Sequence, residues 1–167
     1  LDREWAAKMH EQRVRPYSQY LLVKEGKPYW RLAVLTEEAF EHILRPIMRK
    51  DSLCLEQKGY EVGLDDFHMV KQDSFQGLEE RFWTGTDKVH HIDLEFLTSA
   101  SFKKNGEYMI FPELPLVLNS LIRKWNAYSD SMVLGEERLG DRLAESMCIT
   151  DYRLHTHSFS VEGRRIR

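Results

Sequence analysis

The sequence predicts an α+β fold made of two tandem βαββαβ units, residues 1–86 and 87–167, and three patterns carry that expectation. Ile92, Leu94 and Phe96 alternate with Asp93 and Glu95 at the two-residue period of a half-buried strand. Ala39, Phe40, Ile43, Leu44 and Ile47 instead recur at the spacing of one helix face. The order of strand and helix signals in the first half then returns in the second, although the halves are not visibly alike. Such a recurrence is the ferredoxin-like, or RRM-like, arrangement, in which the first strand of each unit lies centrally in its sheet. The chain opens inside a helix, so the first strand of the first unit is expected to lie outside it.

Taken in order, residues 1–10 read as a helix because Leu1, Trp5 and Met9 fall four apart on one face. Tyr17–Val23 and Tyr29–Leu35 read as strands around a turn at Gly26. Thr36 is placed to cap a helix over Thr36–Met48, with Glu37 and Glu38 in the first turn, where the helix dipole favours acids, and Pro46 in the last. Leu53–Leu64 and Phe67–Gln72 suggest further strands, and the turn-rich Asp73–Asp87 connects the halves. The second half supplies a strand at Val89–Leu97, a helix at Pro115–Tyr128, a charged segment at Gly135–Arg142 and a strand at Cys148–Val161. Pro112 and Pro115 bracket the joint where an apolar strand end gives way to that helix.

Composition narrows the class. With 42% hydrophobic and 31% charged residues in 167, the chain can bury a core and is not of disordered type. No apolar run reaches membrane-spanning length, and the opening LDREWAAKMH is charged, so no membrane partner and a cytoplasmic location are expected. Cys54 and Cys148 match no zinc or redox spacing and read as buried thiols. A net charge of −3 argues against indiscriminate nucleic-acid binding. Charge is unevenly distributed, however: Arg153, Arg164, Arg165 and Arg167 face the single acid Glu162, while acids gather at 65–73 and 136–141. A basic groove on an acidic body would select a particular RNA segment.

Two stretches carry a resemblance. The segment LEFLTSASFKKNGEYMIFPELPLVLNSLIRKWN, ending in a Trp-Asn pair, and the earlier WAAKMHEQRVRPYS keep a fixed order across more than a hundred residues. The chain resembles the CRISPR-associated endoribonuclease family that cuts CRISPR precursor RNA into guides, the Cas-six family of the RAMP superfamily. That resemblance implies an endoribonuclease acting on CRISPR repeat RNA by attack of a 2′-hydroxyl on its own phosphate, with no metal and no cofactor. It puts His10 where the family keeps its catalytic histidine, and Arg15 or Arg13 close to a phosphate-contacting cation. It also implies a glycine-rich loop beyond Arg167 and a tyrosine before Leu1, both expected outside this chain. A homodimer and other CRISPR effector or adaptation proteins are the further partners it allows.

The residues themselves fit this chemistry. Histidine titrates near neutrality and can serve as proton acceptor or donor, while a guanidinium can hold phosphate oxygens in bidentate fashion. Read alone, without the resemblance, His10 is a solvent-facing residue at a helix C-terminus, since a single histidine is a weak signal. The basic pairs Lys103-Lys104, Arg123-Lys124 and Arg164-Arg165, with Arg13, are candidate RNA contacts. Tyr17, Tyr108 and Tyr152 are candidate stacking residues, whereas Trp125 lies on the helix stripe and reads as core. His155 and His157 share a strand face, and His90 and His91 are adjacent, but neither pair has a third ligand, so no metal site is assigned. The competing reading is a non-catalytic RNA-binding subunit of a CRISPR effector complex. A ferredoxin-like protein with a small-molecule ligand has no residue in its favour.

Overall fold

The computed structural model describes residues 3–55, 59–85, 89–98, 100, 102–109, 111–155, 159–161 and 164–166, and of these the backbone alone for 3, 10, 159–161 and 164–166. It is a mixed α/β chain whose ladders, among the described residues, are four two-stranded antiparallel sheets. The chain divides into two units, Leu1–His91 with Lys124–Val133, and Ile92–Arg123 with Leu134–Arg167.

The first unit begins with helix α1, Arg3–Glu11, as the four-residue apolar spacing predicts. Strands β1, Tyr17–Lys24, and β2, Lys27–Val34, pair in register from Tyr17 opposite Val34 to Lys24 opposite Lys27. Glu25 and Gly26 join them, both at positive φ (53° and 76°), the geometry that lets a two-residue turn follow the twist of its strands. Thr36 then caps α2, Glu37–Ala39, by accepting from the Ala39 amide. A π-helical stretch, Phe40–Leu44, and α3, Arg45–Ile47, follow without a break. In that stretch the Arg45 amide reaches back to the Phe40 carbonyl, one residue further than in an α-helix. The widened turn comes immediately before Pro46, whose ring would collide with the carbonyl four residues back in a regular helix.

These helices bury one face. Trp5, Met9, Ala39, Ile43 and Ile47 form the core, with Tyr17, Leu32, Val34 and Leu64 packed around it. Each large apolar side chain so buried contributes about 1.5–3 kcal/mol. The Trp5 indole also donates to Glu38 Oε1 at 3.1 Å and lies flat on the His42 ring, centroids 5.3 Å apart.

Beyond this core the expectations need correction. The strand expected over Leu53–Leu64 is a hairpin, β3 at Ser52–Leu55 and β4 at Tyr60–Gly63. Gly59, at φ 65°, takes the left-handed conformation that a continuous strand excludes. Phe67–Gln72 is irregular and exposed, having apolar residues but no strand paired with it among the described residues. The connection over 73–87 contains helix α4, Phe75–Trp83, capped by the Ser74 hydroxyl accepting from the Gly77 amide. Both cysteines are exposed thiols, because Cys54 takes a solvent-facing place on β3 and Cys148 lies in an irregular exposed segment.

In the second unit, the residues of Val89–Leu97 that belong to it have no ladder partner among the described residues, and Ile92, Leu94 and Phe96 are exposed despite their alternation. Pairing occurs instead between β5, Phe102–Lys104, and β6, Glu107–Met109, around Asn105 and Gly106 at φ 53° and 88°. Helix α5, Leu114–Tyr128, starts within a residue of its expected position. The charged segment ends in a helix, α6, Leu139–Glu145. Gly140 lets α6 approach α5: a methyl group there would lie 2.9 Å from the Asn119 backbone nitrogen. Of the strand expected at Cys148–Val161, residues 148–155 are irregular and 156–158 lie outside the described residues. The remainder is β7, Phe159–Val161, paired with β8, Arg164–Ile166.

Candidate nucleic-acid interface

Helix α1 is fixed to the first core by Trp5 and Met9, and His10 follows Met9 as its penultimate residue. The His10 side chain lies outside the described residues. From the end of the helix, Gln12–Pro16 forms a strap leading into β1, and its burial alternates: Gln12 and Val14 are half-buried, Pro16 buried, Arg13 and Arg15 exposed. Two backbone ties hold it. The Leu35 amide donates to the Pro16 carbonyl at 2.7 Å, and the Tyr128 hydroxyl donates to the Val14 carbonyl. Burial pushes the Tyr128 phenol above its ordinary pKa, so it stays a protonated donor at neutral pH.

Arg13 and Arg15 are therefore set outward on a held backbone, and among the described residues neither has a carboxylate partner. Two exposed guanidiniums with no counter-ion among the described residues make a place where phosphate oxygens can bind without first displacing a described acid.

The other basic candidates fare differently. Across the β5–β6 hairpin, Lys103 Nζ sits 4.4 Å from the centre of the exposed Tyr108 ring, joining a cation to a stacking surface. Lys104 Nζ is instead 2.6 Å from Glu113 Oε2, which already neutralises it. On α5, Arg123 is exposed and Lys124 half-buried, neither ion-paired among the described residues. Arg164 and Arg165 occupy β8 opposite Val161 and Ser160, and their side chains lie outside the described residues.

Among the aromatic candidates, Tyr17 is half-buried and packs against the first core. Tyr152 is exposed, with its ring edge-on to Phe111 at 5.7 Å. Trp125 is half-buried as its helix stripe predicts; its indole donates to the Met132 carbonyl at 2.9 Å and meets Phe75 edge to face at 5.1 Å. His90, His91 and His155 are exposed, and His157 lies outside the described residues. Among the described residues no three His, Cys, Asp or Glu side chains are grouped to hold a metal ion, and no helix is long and apolar enough to cross a membrane. Tyr128 was not legible as part of this region, since its contact with Val14 spans 114 residues of sequence.

The described residues thus set two exposed arginines, with no carboxylate partner among them, on a strap of a hairpin-rich α/β chain. The family model described as CRISPR-associated endoribonuclease Cas6 matches residues 94–158. A CRISPR-associated endoribonuclease Cas6 of Streptococcus thermophilus is 26% identical over 176 residues, covering 99% of this chain and 67% of its own length. Proteins of the same name from two strains of Mycobacterium tuberculosis, CDC 1551 / Oshkosh and H37Rv, are 28% identical over 174 residues, covering 98% of this chain and 52% of theirs. The chain is thus similar to proteins named as Cas6 endoribonucleases, and it spans about half the length of the mycobacterial relatives.

Proposed function

We propose that this chain carries the RNA-binding and cutting residues of an endoribonuclease that processes CRISPR precursor RNA. The 2′-hydroxyl on the 5′ side of the cut attacks the neighbouring phosphorus, and the 5′-oxygen of the next nucleotide leaves. The products end in a 2′,3′-cyclic phosphate and a 5′-hydroxyl. His10 moves a proton in this step, at the attacking or the leaving oxygen. Arg15, with Arg13 beside it, stabilises the charge that grows on the phosphate oxygens. No metal or cofactor takes part. Lys103, Arg123, Lys124, Arg164 and Arg165 contribute to the RNA track, and Lys104 contributes less because Glu113 is already bonded to it.

The observation that carries the reading is the strap itself: two exposed arginines, three and five residues after His10, with no carboxylate partner among the described residues, in a chain similar over nearly its whole length to proteins named as such endoribonucleases. We assign the same reading two tandem ferredoxin-like domains, 1–86 and 87–167, supported by mixed α/β content and antiparallel pairing throughout. The deciding experiment incubates the full protein with the repeat RNA of its neighbouring CRISPR array in EDTA. A single cut leaving a cyclic phosphate is expected. Tight binding without a cut would favour a non-catalytic RNA-binding subunit.

A further inference from the structure

In the first unit the β1–β2 ladder stops where a donor is still needed. Tyr17 pairs with Val34, and the Leu35 amide continues the ladder by donating to the Pro16 carbonyl. Carried two residues further, that register would set Val14 against Glu37. Glu37 cannot serve, because Thr36 is the cap of α2 and the chain has already turned into the helix. The Val14 carbonyl instead accepts from the Tyr128 hydroxyl at the last residue of α5. A side chain thus replaces the missing strand amide at the point that separates Arg13 from Arg15.

We infer that Tyr128 is a positioning residue, holding the Gln12–Pro16 strap so that Arg13 and Arg15 face a bound phosphate. This rests on the endoribonuclease reading above and adds to it a residue that itself contacts neither RNA nor the reacting atoms. The half-buried phenol, with its raised pKa, remains a donor throughout the range in which RNA is handled.

The test is Tyr128→Phe in the full protein, which keeps the ring and removes only the hydroxyl. Amide hydrogen exchange at Arg13 and Arg15 should quicken by about tenfold, with the melting transition retained. The single-turnover cleavage rate at saturating repeat RNA should fall by about tenfold, while in an Arg15→Ala background the same change should cost less than about twofold. That coupling is what a merely structural role would not produce. Equal losses in the two backgrounds, or unchanged exchange in a variant whose parent cuts RNA, would overturn the assignment and leave the nuclease reading standing. Faster exchange at both arginines in a protein that binds the repeat but never cuts it would sink the nuclease reading and uphold Tyr128 as the residue that orders the strap.

Discussion

The two units are held together by different means. In the first, Trp5, Met9, Ala39, Ile43 and Ile47 are buried in one apolar cluster. In the second, Val117 is the one buried large apolar side chain among the described residues, and polar ties are prominent. Asp141 accepts from Asn119 and from Arg138, each at 3.0 Å, Lys104 pairs with Glu113, and Arg142 pairs with Glu136. Ion pairs are not peculiar to the second unit, since Lys8 pairs with Glu38, Arg45 with Glu41 and Arg81 with Asp73 in the first. What distinguishes Arg13 and Arg15 is that they are exposed and have no carboxylate partner among the described residues, whereas a cation already paired is less available to a phosphate.

The sharpest way to break this comparison is at His10. With the proposed proton transfer removed, His10→Ala should lose about 10²- to 10⁴-fold in single-turnover cleavage while RNA affinity stays within about twofold. Wild-type rates from the variant would make His10 an ordinary helix-end residue.

Next in size is the strap. Arg15→Ala should slow cleavage by about 10²-fold, since it removes a donor aimed at the charge that grows during reaction. The salt dependence of RNA binding separates paired from unpaired cations, because each lost phosphate contact lowers the slope of log affinity against log salt by about one. Arg13→Ala and Lys103→Ala should each do so, and Lys104→Ala should do less, its ammonium being paired with Glu113. Equal slopes for Lys103→Ala and Lys104→Ala would mean that ion pairing does not determine which cations meet RNA.

The first unit was legible as far as α3, because local signals and packing agree there. The apolar spacing of α1, the Gly26 turn and the Thr36 cap each point to the element that forms, and the core then uses Trp5, Met9, Ala39, Ile43 and Ile47. Strands failed where alternation stood without a partner: Ile92, Leu94 and Phe96 have the period, but a strand requires a neighbour, and pairing is not written in one segment. Helix α6 was masked by its charges, and α4 by the turn residues around it, although Ser74 was a usable cap signal. Of the candidate site, the position of the arginines after His10 was readable. The tie from Tyr128 and the neutralisation of Lys104 by Glu113 depend on tertiary contacts that no spacing reveals.

A stability measurement probes the close approach in the second unit. Gly140→Ala would force its new methyl toward the Asn119 backbone, which cannot rotate away as a side-chain tip can. Overpacking of this kind costs about 1–3 kcal/mol, so the denaturant midpoint should fall. An unchanged midpoint would show that α6 shifts freely and that α5 and α6 are not closely packed there.

The smallest expected effect is a pH dependence at Asp141. The hydrogen bond from Arg138, then that from Asn119, holds its carboxyl below the usual aspartate range, with the charge of Arg138 adding to them. The folded pKa is therefore the depressed one. Its contribution is present above the unfolded-state pKa, near about 4, and is lost as pH falls through the lower folded value. Asp141→Asn should lower the melting temperature slightly at neutral pH, and the gap to wild type should close in the acid range below about pH 4. Because the carboxylate is partly solvated, the gap should also shrink with added salt. A gap that persists unchanged at acid pH would mean that Asp141 acts through shape or neutral hydrogen bonding, and that the polar ties of the second unit do not depend on its charge.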